Sequence, residues 1–514
     1  MNSVSEKFVR VSSRNPHYFE LSDGSTYLPV GVNMCFPRYL TGEEAVFADY
    51  RKMMTKLSGN GGNYIRLWLS CPFFELEPER AGVFDESRRR RLERLLDLAG
   101  SLGIKVKITL EHFRMLAPAN GMESYPGAAC FVKKIHNRKF GGSADTMLEF
   151  FTGEASHRVF LAKLDYLAGY FRDNPNVFSW ELWNEINAVG MEEPLFNAWT
   201  QWSVRMISEL KERFPHHMAG QNIGSFDSLS GNRIYDWLCK KSTSDFIQAH
   251  RYIDPGAELE VCRGPMDLLC ADVVRELRER NTAAPALHSE AGATEWRHSR
   301  PSHLYQLDKR GMLLHDAVFA PFFAGAAGCG QFWHWDMYLE KHDLWWHFGR
   351  FGKAVAGVDP VREEYVPFRR ESSHLRIYGL AGRTHFLLWC RDKWNTYENE
   401  LDREMAPERL HGIVLNLRDV ADDSVIKIEY YLPWEDVSGE GMLPDGGFDF
   451  LLPDFERSIV LKLSRRPETK TGAASGRTRQ QTISGSAFSA RDGKRRTGGS
   501  GFHGIKQRRK FNAF

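Results

Sequence analysis

The sequence predicts an α/β chain: a (β/α)8 barrel followed by a smaller all-β, sandwich-like domain. Three observations predict it. Eight short apolar runs alternate with amphipathic helical segments from residue 27 onward, the pattern of βα units around a parallel sheet. Two of those runs end in a carboxylate. After about residue 360 the texture changes to alternating strand-like runs separated by turn formers.

The eight barrel strands are expected at Tyr27–Asn33, Tyr64–Leu69, Ile104–Leu110, Val177–Leu182, Met218–Asn222, Phe246–Ala249, Pro285–Ser289 and Gly330–Trp333. The helix before the third strand shows the logic: Leu92, Leu95, Leu96, Ala99 and Leu102 fall on one face, and Gly103 can end it. Arg88–Arg91 reads as a solvated face. Lys105 and Lys107 interrupt a strand that a parallel sheet would make apolar on both sides. Ahead of the barrel, two strand-like runs flank Asp23-Gly24, a turn dipeptide, so a β-hairpin is expected to cover the barrel floor. Behind it, Leu375–Leu380, His385–Cys390, Gly412–Leu417, Val425–Leu432 and Arg457–Leu463 are the strands of the second domain, with a turn at Pro444–Gly447. The expected division is 1–358, 359–464 and a basic Gly/Ser/Arg-rich tail over 465–514, whose composition predicts disorder.

Length and composition narrow the class. The 514 residues accommodate one barrel and one smaller domain, and 42% hydrophobic content is ample for packed cores. No apolar stretch reaches the roughly 20 residues that span a bilayer, so no membrane partner is expected. Met1–His17 lacks the apolar core of a secretory signal, which leaves an intracellular chain or one whose signal has been removed. The net charge of +2 hides a split: the tail holds thirteen Lys and Arg against two acids, and the residues before it sum to −9. That body offers no electrostatic footprint for nucleic acid, so polyanion binding would rest on the tail alone. The eight cysteines are scattered without a C-x-x-C pair and read as free, mostly buried thiols. No metal-ligand spacing appears, His288, Glu290 and His298 being explicable without one, and neither a metal nor another cofactor is expected.

In a barrel the reactive residues stand at the C-terminal ends of the strands. Those ends supply Arg66, His112, Asn184 with Glu185, His250 with Tyr252, Glu290, and Trp333 with Trp335. A pair of carboxylates so placed suits cleavage of a glycosidic bond, where one acid protonates the departing oxygen and a second carboxylate meets the anomeric carbon. Glu185 and Glu290 are the candidates. Sugar rings pack their C–H faces on aromatics; Trp333 is the first candidate platform, with Trp335, Trp68, Trp183, Phe36 and Trp296 behind it. Trp345-Trp346 reads equally as cleft edge or as packing.

Trp183-Asn184-Glu185, His250-Arg251-Tyr252, Ser289-Glu290-Ala291-Gly292, Trp333, Arg66 and His112, in this order, resemble glycoside hydrolase family 5, the cellulase and β-mannanase group of clan A. The resemblance covers roughly residues 8 to 355 and departs from the family where Ala291 replaces a more usual aromatic. It implies Glu185 as acid/base and Glu290 as nucleophile of a retaining enzyme acting on a β-glucan, β-mannan or related oligosaccharide. It implies Asn184 on the sugar 2-hydroxyl, with His112 and His250 positioning hydroxyls or the acid, and by analogy it implies secretion. Arg66 and the Tyr252 hydroxyl against Glu290 would keep that carboxylate charged, while Glu185, facing it in a desolvated cleft, would hold its proton. A transglycosylase, an exo-acting enzyme or a catalytically silent sugar-binding barrel would share much of this pattern.

Overall fold

The computed structural model describes residues 7–39, 42–112, 135–419, 425–443 and 447–465. Cys130, most of the Pro444–Gly447 turn and the tail beyond residue 465 lie outside them. The other seven cysteines are buried and free. Among the described residues no helix is long and apolar enough to cross a membrane.

The N-terminal segment is a three-stranded antiparallel sheet, β1 (Val9–Val11), β2 (Phe19–Leu21) and β3 (Thr26–Tyr27), one strand more than the expected hairpin. It closes the bottom of the barrel: the Phe19 ring meets those of Phe178 and Phe246 at 5.2 and 5.9 Å, at the entry ends of two barrel strands. The barrel follows as β4 (Gly31–Asn33), β5 (Tyr64–Trp68), β6 (Lys105–His112), β7 (Val177–Asn184), β8 (Met218–Gly220), β9 (Ile247–Ile253) and β10 (Ala286–Ala293). Strands β4 to β8 pair in sequence order, and β9 pairs with β10, all in parallel. The eighth strand is shorter than expected. Its bridging residue, Phe332, meets Val32 on one side and Ala291 on the other and so joins the five-stranded sheet to the β9–β10 pair, with Gln331 and Trp333 bonded to His288 and Ala291. Gly31 is required where β4 crosses β5, because a Cβ there would fall 1.8 Å from the Tyr64 carbonyl oxygen.

The helix Glu86–Ser101 buries Leu92, Leu95, Leu96 and Ala99 as its spacing predicts, and Asp85 caps its first turn through the amides of Ser87 and Arg88. Its arginine run is not simply a solvated face. Arg89 is buried between Glu86 and Glu93, and its guanidinium lies 4.2 Å from the Tyr170 ring, because a helix between two neighbours has flanks as well as a front.

The C-terminal region is all-β. A six-stranded antiparallel sheet is formed by β11 (Val366–Glu371), β12 (Leu375–Ala381), β13 (His385–Asp392), β16 (Val425–Leu432), β17 (Val437–Gly441) and β20 (Ser458–Arg465), in the order β11-β12-β13-β20-β16-β17. Two short ribbons, β14 (Arg409–Leu410) with β19 (Phe455–Glu456) and β15 (Val414–Asn416) with β18 (Asp449–Leu451), form the second layer. Strand alternation divides the sheet's residues between two faces. Leu375, Ile377, Phe386, Leu388, Ile459 and Leu461 face the ribbons, whereas Tyr378, Leu380, Leu387 and Trp389 join the barrel's core. Trp389 reaches the rings of Phe319 and Phe323 on the barrel helix Met312–Phe323 at 5.8 and 6.1 Å. Trp346 stacks on His347 and meets Trp434 of the β region, which assigns Trp345-Trp346 to packing.

Buried charge also crosses this contact. Arg376 donates to Asp267 at 2.6 and 2.8 Å, the Tyr378 hydroxyl adds a bond at 2.8 Å, and Arg391 meets Asp316 at 2.8 Å. Removing one member strands the other in a dry interior. Arg376→Ala should therefore lower stability by about 3 to 5 kcal/mol, read as a lower urea midpoint, and adding Asp267→Ala should recover much of it; an unchanged midpoint in the single variant would contradict this account.

Candidate active site

Arg66, on β5, is fully enclosed in the barrel and has a carboxylate on either side. Its Nε donates to Glu181 at 3.0 Å and to Thr109 at 3.1 Å, one terminal nitrogen donates to Asn184 at 2.6 Å, and the other bonds Glu290. Burial alone would lower its pKa, but Glu181 and Glu290 outweigh it and raise it further. Glu181 also receives the Lys107 ammonium at 3.2 Å, Gln248 Nε2 at 2.7 Å and the Thr109 hydroxyl at 2.7 Å. Against burial, these cations and donors hold its carboxyl below the usual carboxylate range. Lys107, the anomaly in the strand pattern, is the barrel-facing partner of this carboxylate, and burial brings its ammonium down to about 8.

Glu290 lies on β10 beside a register shift in its pairing with β9: Ser289 is passed over, and Glu290 pairs with His250. Such irregularities redirect a side chain next to active sites. Two donors converge on its carboxylate, Arg66 on Oε1 and the Tyr252 hydroxyl on Oε2 at 2.5 Å. Glu185 follows the last residue of β7 with φ +50 and ψ +54, a left-handed conformation uncommon outside glycine. It is held there by its own amide, which donates to Asn222 Oδ1 at 2.6 Å. Its side chain keeps 19% exposure, against 4% for Glu290, so Glu185 is the carboxylate nearer to solvent. Burial raises the Glu185 pKa, helped by Glu181 and opposed by His298 and Arg66. Glu181, on the strand that leads to it, is thus a like charge that the sequence argument did not count beside Glu290.

His250 joins the pair. Its Nδ1 lies 2.7 Å from Glu185 Oε1 and 3.3 Å from Glu290 Oε2, and one oxygen of each carboxylate falls with a His250 nitrogen inside a 4.8 Å span. Burial takes its pKa down to about 4, so the ring is neutral near pH 7. Its Nε2 has no hydrogen-bond partner among the described residues, which favours the tautomer with its one proton on Nδ1. His112 ends β6, its ring tilted by 30° against that of Trp68 at 3.5 Å and kept neutral by burial and by Arg66.

The cleft wall beside Glu290 is aromatic. Trp333, whose amide donates to Ala291 at 2.9 Å, lies 4.9 Å from Trp68 and 5.7 Å from Trp335, ring to ring. Trp335 is buried behind it on Phe36, at 4.7 Å. Trp183 packs on Phe150, Phe151 and Trp202 in the core, and Trp296 is 60% exposed on the loop after β10. A second polar group, Asp227, Asp254 and His298, also has its ligand-type atoms within 4.8 Å. These two trios are the sets among the described residues with spacing for a cation. His288, by contrast, turns to the Arg251 carbonyl, while His298 pairs with Asp254 at 2.9 Å, so the sequence-adjacent trio disperses.

Sequence reasoning passed over Glu181, Gln248, Asn222 and the Asp227–Asp254–His298 group. Glu181 carried a signal, a charge inside an otherwise apolar strand and matched by Lys107 on the next. The others lie on strands and loops whose mutual approach only the closed barrel creates.

No protein-family model matches the chain. Among curated proteins it is similar to mannan endo-1,4-beta-mannosidase F of Aspergillus fumigatus, 25% identical over 210 residues, 38% of this chain and 43% of that one. It is likewise similar to the probable mannan endo-1,4-beta-mannosidase F of Aspergillus oryzae, 27% identical over 227 residues, 40% and 44%. The match thus spans less than half the length of these relatives. Among solved structures, a glycoside hydrolase family 5 protein from Bacteroides vulgatus aligns over 89% of this chain and 94% of its own, with 11% identity and a TM-score of 0.57. Another glycoside hydrolase aligns over 90% and 97%, with 11% identity and the same TM-score. The fold is that of these barrel enzymes.

The electrostatics can be tested without reference to any reaction. Replacing Glu181 with Gln removes the charge that raises the Glu185 pKa and frees Arg66 to act on it, and both changes favour the ionised carboxyl. A carboxyl-carbon NMR titration should show Glu185 titrating at lower pH in E181Q than in the parent; an upward shift would refute the charge balance described.

Proposed function

We propose that the protein is a retaining β-glycoside hydrolase acting on a β-1,4-mannan or a related oligosaccharide. One observation carries the reading: one oxygen of Glu185 and one of Glu290 lie within 4.8 Å. That is near the roughly 5 to 5.5 Å of retaining pairs and short of the roughly 6.5 to 9.5 Å that leaves room for water in inverting ones. The relatives' names point to mannan as the polymer. Catalysis resides in residues 1–358, with 359–464 as an accessory domain and 465–514 as a tail.

Glu185 is the acid/base. Its Oε1 accepts the Nδ1 proton of His250, leaving Oε2 to carry the proton for the glycosidic oxygen, and burial keeps that proton in place at higher pH than an exposed carboxyl would. Glu290 is the nucleophile, its second oxygen tied by Tyr252 and its charge balanced by Arg66. Attack on the anomeric carbon consumes the Glu290 charge in an ester. Glu185, having given up its proton, then takes one from the water that hydrolyses the ester, and the anomeric configuration is retained. Asn184, fixed through Arg66, faces the 2-hydroxyl, His112 and His250 hold neighbouring groups, and Trp333, backed by Trp335 and Trp68, carries the ring face.

Glu290→Gln should abolish turnover of manno-oligosaccharides. Glu185→Ala should lower it by about 10²- to 10⁴-fold while sparing a substrate with an activated phenolate leaving group, and added azide should yield a β-glycosyl azide. Proton NMR of the first product should show the β-anomer. Wild-type-like activity in E290Q, or an α-anomer as first product, overturns the reading.

A further inference from the structure

The loop after β10 folds back on itself: Thr294 and Pro301 form an antiparallel bridge, and the Glu295 amide donates to the Arg300 carbonyl at 2.8 Å. At its tip Arg297 and His298 both take left-handed φ, +53 and +55, a conformation that persists in non-glycine residues only where the surroundings impose it. Asp254, buried just past β9, imposes it. Its Oδ1 accepts the amides of Arg297 at 2.8 Å and Gly256 at 2.7 Å, and its Oδ2 takes His298 Nδ1 at 2.9 Å.

The imidazole is thereby presented edge-on to Tyr252, 5.2 Å between ring centres, the same tyrosine that donates to Glu290. Its Nε2 stands 3.2 Å from the Ser225 hydroxyl, and its side chain keeps 29% exposure. Ser225 adjoins Gly224, where a Cβ would sit 3.5 Å from the Glu185 carboxyl carbon, so the ring stands on the Glu185 side of the cleft. Charges face it from three strand ends: Asp254 after β9, Asp227 after β8 and Glu185 after β7, with the neutral His334 ring beyond Tyr252. Burial opposes a charged ring here, but these acids, Asp254 first, outweigh it and favour the imidazolium. The trio of Asp227, Asp254 and His298 spans no more than 4.8 Å. With Nδ1 taken by Asp254, a sugar hydroxyl would meet the ring at Nε2, beside or in place of the Ser225 hydroxyl, at about 2.8 Å.

Building on the glycosidase reading above, we propose that His298, buttressed by Asp254 and paired with Asp227, is a positioning residue for the leaving-group sugar: it grips a hydroxyl of the ring on the reducing-end side of the scissile bond, so that the glycosidic oxygen meets the proton of Glu185. The residue touches none of the reacting atoms. Trp296, two positions earlier on the same turn, is exposed.

The test compares two substrates in the full-length protein and in its H298N and D254N variants. β-1,4-Mannotetraose has a sugar leaving group; 2,4-dinitrophenyl β-mannobioside has one that needs neither that subsite nor a proton. For both variants kcat/KM on mannotetraose should fall about 10- to 100-fold, as misplacement of a reacting group does, while the value on the aryl substrate stays within about threefold. With mannobiose as acceptor, both variants should also form less transfer product per aryl group released. Equal losses on the two substrates, or no loss on mannotetraose, overturn the proposal while the glycosidase reading stands. A parent protein inert on both substrates overturns that reading and this inference with it.

Discussion

The site depends on a guanidinium that cannot leave. Arg66 has no exposed surface, and the cost of an unpaired charge in such a place would be several kcal/mol. It is therefore surrounded by groups that must themselves be fixed: Glu181 and Glu290 at its ends, with Asn184 and Thr109 between them. Lys107 and Gln248 complete the shell from below by holding the far oxygen of Glu181. Two cations and two carboxylates thus balance inside the barrel. A plug of branched aliphatics would fill the same space without the desolvation cost. The chain's use of charge there makes sense as orientation, because every side chain in the lattice has partners that define its position.

The same lattice makes the two carboxylates unequal. Glu290 is bonded to Arg66 and to the Tyr252 hydroxyl. Glu185, after β7, accepts from a neutral imidazole and donates its backbone amide to Asn222 Oδ1, and burial raises its pKa against His298 and Arg66. Under the proposed reading, such a difference in environment would assign the two carboxylates their separate tasks. The left-handed backbone at Glu185 belongs to this division, since it turns the side chain away from the lattice that continues through Asn184.

Much of this was legible in the sequence, for a definite reason. Barrel strands end in polar residues, and a polar residue after an apolar run is visible in one dimension, so Arg66, His112, Asn184, Glu185, His250, Tyr252, Glu290 and Trp333 could be named from strand ends alone. What could not be read was pairing across strands. Lys107 looked like a flaw in β6 because its counter-charge lies on β7, 74 positions later. The arginines at 88 to 91 looked solvated because helical periodicity reports only the face toward the core. His298 was noted only beside His288 and Glu290 and set aside, since its place depends on a loop bent by Asp254 from a different strand. The eighth strand was legible as an apolar run at Gly330–Trp333; what the run does not reveal is its irregularity, with Phe332 alone in bridge geometry between β4 and β10.

That seam also explains the C-terminal sheet. Every residue of the helix Met312–Phe323 is buried, which a helix on the outside of a barrel achieves only if something covers its outer face. The cover is the face of β12 and β13 carrying Tyr378, Leu387 and Trp389. The helix in turn supports the closing strand closely: a Cβ on Gly330 would fall 2.0 Å from the Ala317 carbonyl oxygen. From Gly330 the chain passes through Phe332, the bridge between both ends of the sheet, to Trp333, whose amide is bonded to the residue after Glu290. Gln331 and Trp333 are bonded to His288 and Ala291 of β10 and Asn33 of β4 to Phe332, so the backbone of the closing segment is fixed on both sides and the packing behind it backs those bonds. The β sheet covers the helix that backs this segment, so the proposed accessory domain shares the barrel's core.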